Sequence, residues 1–223
     1  MARSYEIVVC NDGSTDNTGR LLEELAQKYP TIKPRHHIVN RGAAAALTTA
    51  IEHTTGGWVL LLDSDGQFPV ENVEAMWECI VESGADAVIG YRTKKEDSAF
   101  ARFGSWASGA LCGVIYGRRL RDFNSALKLV RGQVLRSLQL EAKGLNYSTE
   151  ITGRLLELDD HVKLVEVQAT HVPRRTGRSS RRLIRGAWHR FLFVGFLAVR
   201  RFLHRQEVIQ RPHELSANRR PFR

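Results

Sequence analysis

The chain has 223 residues, 43% hydrophobic and 26% charged, enough for one domain with its own core and too apolar for a disordered polymer. Cys10, Cys79 and Cys112 are odd in number, widely spaced and set in apolar runs, which excludes a disulfide framework and reads as reduced core thiols of a cytoplasmic protein. The net charge of +9 sits at one end: residues 172–223 hold 14 Arg, no Lys and two acids, a net +12, whereas residues 1–171 hold 19 basic and 22 acidic residues, a net −3.

Tyr5 to Cys10 is a short β-rich run. It leads into the acidic turn Asn11-Asp12-Gly13-Ser14-Thr15-Asp16 and then the helical spacing Leu21, Leu22, Leu25, Ala26. Asp16 or Thr15 can cap that helix, and Gly13 permits a tight backbone near a ligand. After Pro30 a second strand is expected at about His37 to Val39, followed by Asn40-Arg41-Gly42 and an Ala-rich helix through Ile51. Gly56-Gly57 closes the unit before the strand Trp58 to Leu62.

That third strand runs into Asp63-Ser64-Asp65-Gly66-Gln67. Strand side chains alternate, so Asp63, Asp65 and Gln67 point the same way if the extension persists past Leu62. Oxygen ligands of this kind suit Mg²⁺ or Mn²⁺, which take further ligands from phosphates and water. A bare pair of this spacing is more often a polar turn after a strand, and the second acidic turn upstream reverses that in favour of the metal site. Strands alternating with helices predict an α/β fold with a largely parallel sheet, whose ligands gather at the carboxyl ends of the strands.

Towards the C-terminus the longest apolar run, Phe191 to Val199, falls far short of the ~20 residues of a membrane span. Residues 181–205 interleave arginines with Leu183, Trp188, Phe191, Phe193, Phe196 and Phe202, the composition of an interfacial helix on anionic lipid. Docking on the domain or on another subunit is the second reading, and binding to nucleic acid is the third and weakest, because apolar bulk adds little to phosphate-backbone binding. The expected organisation is an α/β domain over 1–180, a basic amphipathic membrane-interface helix over 181–211 and a flexible tail over 212–223. The protein is expected on the cytoplasmic, inner face of a membrane, without a nucleic-acid partner and with self-association left open.

The ordered set EIVVCNDGSTDNT, NRGAAAALTTAI, WVLLLDSDGQFP, ADAVIGYR, RDFNSALKLVRGQVL, YSTEI and VPRRTGRSS, spanning about residues 5–183, resembles the inverting family 2 glycosyltransferases of GT-A fold, and within them the dolichyl- or polyprenyl-phosphate sugar synthases. The resemblance implies transfer of a hexose from a UDP- or GDP-linked sugar to a polyprenyl or dolichyl phosphate. It implies that Asp63, Asp65 and Gln67 hold the metal, with Asp63 also facing the donor and Asp65 catalytic. Asp12 is implied to contact the donor base or ribose, with Asn11 standing where many relatives have another Asp, and Gly42 to let backbone approach the donor. Ala43 stands where a Lys is more usual. Arg92, Arg102 and Ser105 resemble contacts to the acceptor phosphate, and Arg174, Arg175 and Arg178 a basic loop that closes over phosphates. Asp122 is expected to position substrate or help in catalysis, and Glu150 to act as base if the acceptor is a hydroxyl; a turn cap and a surface acid are the structural alternatives for the pair.

In one respect the chain departs from the family pattern. Such enzymes normally open with a strand ending in a P-x-Y-N-E-like segment, and this chain begins at what resembles the second strand, so a central strand is expected to be missing. Two further function classes therefore stand beside lipid-phosphate transfer: transfer to a saccharide hydroxyl in cell-wall or capsule assembly, and an inactive remnant that binds membrane or a partner.

Overall fold

The computed structural model describes residues 4–93, 99–142, 146–158, 161–173 and 192–202, the side chains of 99–105 excepted. Strands and helices run in the order β1 (Ile7–Asn11), α1 (Thr18–Lys28), β2 (Ile32–His36), α2 (Ala43–Glu52), β3 (Trp58–Leu61), α3 (Asn72–Ser83), β4 (Ala87–Arg92), α4 (Ala99–Tyr116), β5 (Lys128–Arg131), α5 (Gly132–Ser137), α6 (Tyr147–Glu157) and β6 (Leu164–Ala169). A further helical segment spans 192–202.

The core is two-sided because the strands alternate. Val59, Leu61, Ala87, Ile89 and Val130 face one cluster, completed by Cys112 and Tyr116 of α4, Ile151 and Leu155 of α6, and Val194. The intervening Leu60, Val88 and Leu129 face a second cluster, with Met76 and Ile80 of α3. Period-two burial on both faces is what a sheet covered by helices on each side requires.

The strands form two sheets. β3, β5, β4 and β6 lie in that order, with β5 antiparallel to both neighbours and β4 parallel to β6. β1 and β2 form a separate parallel pair. The expected parallel pairing is present in β1–β2 and β4–β6, and β5 enters antiparallel between β3 and β4. Among the described residues no strand joins β1 to β3. Glu6 ties the amino-terminal ends of the two sheets: its Oε1 accepts from the Thr55 N–H at 2.6 Å, the Thr55 hydroxyl at 2.8 Å and the Gly56 N–H at 3.1 Å.

Two local expectations are corrected. The second strand lies at Ile32–His36, ahead of His37–Val39, and contains Pro34. The Ile7 and His37 N–H groups bond across the pair to Thr31 and Asn11, so odd-numbered residues face β1 and Pro34 turns its missing N–H outward, where an edge strand tolerates it. The strand before the acidic turn stops at Leu61. Within the segment expected as an interfacial helix, residues 192–202 turn one side to the domain, with Val194 and Leu197 both 0% exposed; residues 174–191 and 203–223 lie outside the described residues. At the start of α1 the N-cap is Asn17, which makes no side-chain cap bond, and Asp16 one residue earlier accepts from the Thr18 N–H through Oδ1 at 3.0 Å.

Candidate active site

Asp63 and Asp65 follow β3 on a single turn, both half-buried. Because the extension ends at Leu61, the strict alternation that would align Gln67 with them is not reached. Gly66 adopts φ 69°, and the Asp65 carboxylate accepts from the Gln67 N–H at 3.1 Å. Gln67 is engaged through its backbone, its carbonyl accepting from the Val172 N–H at 2.8 Å. Among the described residues there is no cluster of three or more His, Cys, Asp or Glu placed to hold a metal. Two carboxylates on one turn nevertheless fit a hard cation that draws its other ligands from a diphosphate and water.

Asp63 is held from outside its own turn. The Tyr147 hydroxyl, at the start of α6, donates to its Oδ1 at 2.8 Å. That turn of α6 is itself latched: Ser148 bonds to the Ser125 carbonyl and accepts from Lys128 Nζ at 2.7 Å, and Thr149 donates to Asn124 Oδ1 at 2.6 Å. Lys128 is fully buried and also donates to the Ser125 carbonyl. Burial pushes its ammonium down to about 7, opposed by Asp122 and Asp63 and reinforced by Arg92. One buried lysine thus has Asp122, Asp63 and Arg92 as its electrostatic neighbours.

Arg92, the last residue of β4, donates from Nε to the Asp122 carboxylate at 2.7 Å and from Nη2 at 3.3 Å. Asp122 is buried, and its own N–H is fixed by Glu166 at 3.1 Å. This geometry orients Arg92 at the strand end beside a polar hollow lined by Thr93, Gln168, Thr170 and His171. Asn72 clamps the same edge, donating to the Pro69 and Thr170 carbonyls at 2.9 Å and accepting from the Thr170 N–H at 2.7 Å. Val172 is held next to Gln67 on this edge; Arg174, Arg175 and Arg178 lie outside the described residues. Arg102 and Ser105 fall in the first part of α4, residues 99–105, whose side chains are not described.

Glu150 stands apart from this group. It is 0% exposed, and its oxygens accept from the Glu141 N–H at 2.9 and 3.0 Å, the Ala142 N–H at 2.7 Å and Arg154 at 3.1 Å. The contacts are those of a loop anchor.

The Asp12 turn is built around a carboxylate that the protein itself surrounds. Asp12 accepts from the Arg41 N–H at 2.9 Å, the Gly42 N–H at 2.7 Å and His37 Nδ1 at 2.8 Å. Burial raises its pKa, but those three donors outweigh it and hold the carboxyl below the usual range. Gly13 has φ 66°, and a Cβ there would meet the Asn40 nitrogen and the Val39 carbonyl carbon at 2.6 Å, so the two loops touch backbone to backbone. Gly42 has φ 93°, caps α2 and has no neighbour within 4 Å of where its Cβ would lie. Asn11 accepts from the Ser14 N–H at 3.1 Å, closing the turn.

Lys128, Tyr147 and Ser148 were not expected in the site. The signals were present: a lysine inside the apolar run Ala126–Val130, and three hydroxyl residues opening a helix.

The alternation of strands and helices, the acidic turns at strand ends and the arginine at the end of β4 define a domain of the GT-A glycosyltransferase type. The chain belongs to Glycosyl transferase family 2, which it matches over residues 2–139. It is 31% identical over 140 residues to an undecaprenyl-phosphate 4-deoxy-4-formamido-L-arabinose transferase from Edwardsiella ictaluri, covering 62% of this chain and 42% of that protein. It is 30% identical over 183 residues to a dolichol-phosphate mannosyltransferase from Pyrococcus furiosus, covering 79% and 50%. The chain therefore spans about half the length of these relatives. Among solved structures it is similar to glucosyl-3-phosphoglycerate synthase from Mycobacterium tuberculosis in complex with Mn²⁺, UDP-glucose and phosphoglyceric acid, with a TM-score of 0.63, 18% identity and 86% and 68% of the two chains covered. A mannosyltransferase from Pyrobaculum calidifontis in complex with GDP-Man and Mn²⁺ follows, with a TM-score of 0.51, 18% identity and 78% and 49% covered.

Proposed function

We propose that the protein transfers a hexose, with inversion, from a UDP- or GDP-linked sugar to a polyprenyl or dolichyl phosphate. The observation that carries this is the Arg92–Asp122 pair fixed beside Lys128 and the Tyr147-held Asp63: a cation for an acceptor phosphate stands next to carboxylates suited to a donor diphosphate. The names of the Edwardsiella and Pyrococcus relatives support a lipid-phosphate acceptor.

Asp63 and Asp65 would hold a Mg²⁺ or Mn²⁺ ion in this reading, and the chemistry it would supply is compensation of the negative charge on the departing diphosphate. An acceptor phosphate oxygen attacks the anomeric carbon from the opposite side as the bond to the nucleotide oxygen breaks, and the electron pair leaves with the nucleoside diphosphate. The nucleophile is already ionised, so no general base is needed. Arg92, with Arg102, Ser105 and the 174–178 arginines, binds the acceptor phosphate. The Asp12 turn and Gly42 shape the floor under the donor nucleoside. Transfer to a saccharide hydroxyl would need a base, and Glu150 has both oxygens occupied and no exposure, which favours the lipid phosphate. The arginine-rich segment 181–205 holds the protein at the inner face of an anionic membrane in this reading.

The test is transfer of radiolabel from nucleotide sugars to polyprenyl phosphate in the presence of Mn²⁺, with Arg92→Ala alongside. Label should enter the lipid fraction, and the substitution should raise the acceptor KM by one to two orders of magnitude, as a charge-assisted phosphate contact of roughly 1.5–3 kcal/mol requires. Label appearing only in saccharide would overturn the acceptor assignment.

A further inference from the structure

α4 and the helical segment 192–202 each have two apolar faces, of which the fold uses one. On α4 the buried side chains are Ser108, Cys112 and Tyr116, spaced four apart. The opposite side leaves Val114 81% exposed and Trp106 67%, with Leu111 at 41%. In 192–202, Val194 and Leu197 are buried, while Leu192, Phe196 and Val199, spaced by four and three on the other side, are 56%, 44% and 61% exposed. A surface helix normally turns one apolar stripe inward and a polar one outward. These two do not.

The two helices belong to one surface. Cys112, Tyr116 and Val194 share a core cluster, and the Arg201 guanidinium lies 4.7 Å from the centre of the Tyr116 ring. Neither helix contains an acidic residue; the charges they carry are Arg102, Arg200 and Arg201, and Arg118, Arg119 and Arg121 follow α4 directly. Arg119 and Arg121 are exposed.

We infer that the outer faces of α4 and 192–202 together form a lipid-facing surface that rests on an anionic bilayer. The inference deepens the lipid-acceptor function proposed above, because it makes part of the domain itself, rather than the arginine-rich tail alone, the membrane contact. Apolar side chains of this size displayed on two neighbouring helices mark an interaction surface. Its arginine rim complements lipid phosphates and carboxylates. A second copy of the chain is disfavoured by charge, since a two-fold interface sets the same patch against itself and would bring arginine rim to arginine rim.

Val114→Glu and Phe196→Glu place a charge on each exposed face without touching the buried one. The full chain and each variant would be sedimented with vesicles of phosphatidylcholine and phosphatidylglycerol, beside a control Val70→Glu, whose residue is also exposed (55%) but precedes α3. The bound fraction should fall at least tenfold in Val114→Glu and stay at the wild-type level in the control. Wild-type sedimentation of Val114→Glu overturns the proposal and leaves the contact to the tail. A wild-type dimer that Val114→Glu converts to monomer in vesicle-free solution overturns it in favour of a second copy. Turnover with a water-soluble short-chain prenyl phosphate separates the two claims. Transfer retained by Val114→Glu while vesicle binding is lost supports both, and sedimentation reads the surface even if no transfer is found.

Discussion

The β1–β2 pair and the four-stranded sheet each end in an acidic turn, but they are built on opposite principles. Between residues 4 and 42 Asn11 alone is buried among the described residues, and α1 buries none. That lobe is held by polar contacts around Asp12 and by Glu6 reaching Thr55 and Gly56. The four-stranded body buries two hydrophobic clusters and places its polar groups inside them. The donor-nucleoside side is thus the side with least packing, and the carboxylates proposed for the metal stand on the side with most.

Lys128 tests how much the body's packing bears. Its folded pKa is depressed to about 7 from 10.5, so between those values the unfolded chain binds the extra proton and stability rises with pH. Below about 7 both states are charged and the burial penalty is present in full. Urea unfolding of the wild type should therefore show stability climbing by on the order of 3–5 kcal/mol from pH 7 to pH 10. Lys128→Met should flatten that slope, whatever it does to absolute stability through the lost bonds to Ser125 and Ser148. Equal slopes would mean that the body accommodates the charge without cost.

The carboxylates at the end of β3 should separate function from folding. Asp65→Ala is expected to lower transfer by two orders of magnitude or more, about 3 kcal/mol of transition-state stabilisation, with Asp63→Ala nearly as damaging. Both are half-buried and lie beyond the strand, so their melting temperatures should stay near wild type. Turnover undiminished by a chelator would remove the metal from the site.

The legible parts of this molecule were those where local pattern and tertiary demand coincide. The strand–turn–helix at Asn11–Thr18, the Ala-rich helix ending near Ile51 and the strand before Asp63 follow from periodicity and turn chemistry. β2 was displaced because Pro34 argues against a strand unless its edge position is known. The alignment of Gln67 with the aspartates failed because a turn held by the Asp65 carboxylate replaces two residues of extension. Tyr147 reaches Asp63 across 84 positions, a relation that no spacing in the sequence encodes. Residues 192–202 look interfacial in composition, yet composition alone does not tell which of two apolar faces meets the domain.

The smallest effect expected belongs to the weaker lobe, and acid should expose it. Three hydrogen bonds to Asp12 outweigh its burial and hold the carboxyl below its ordinary value, so it contributes stability above the unfolded-state pKa that is lost as pH falls through the folded one. Protonation leaves the Arg41 and Gly42 N–H groups and His37 with a poorer acceptor, and these contacts join the first turn to the second. The cost is about 1–2 kcal/mol, modest for the domain but large for a lobe with a single buried residue. Amide exchange measured from pH 5 down to pH 3, corrected for intrinsic rates, should show β1 and β2 losing protection while β4 and β5 keep theirs. Asp12→Asn should show the weaker protection already at pH 5 and little further change. If all strands lose protection together, the two lobes fold as one cooperative unit and the contrast in packing has no consequence for stability.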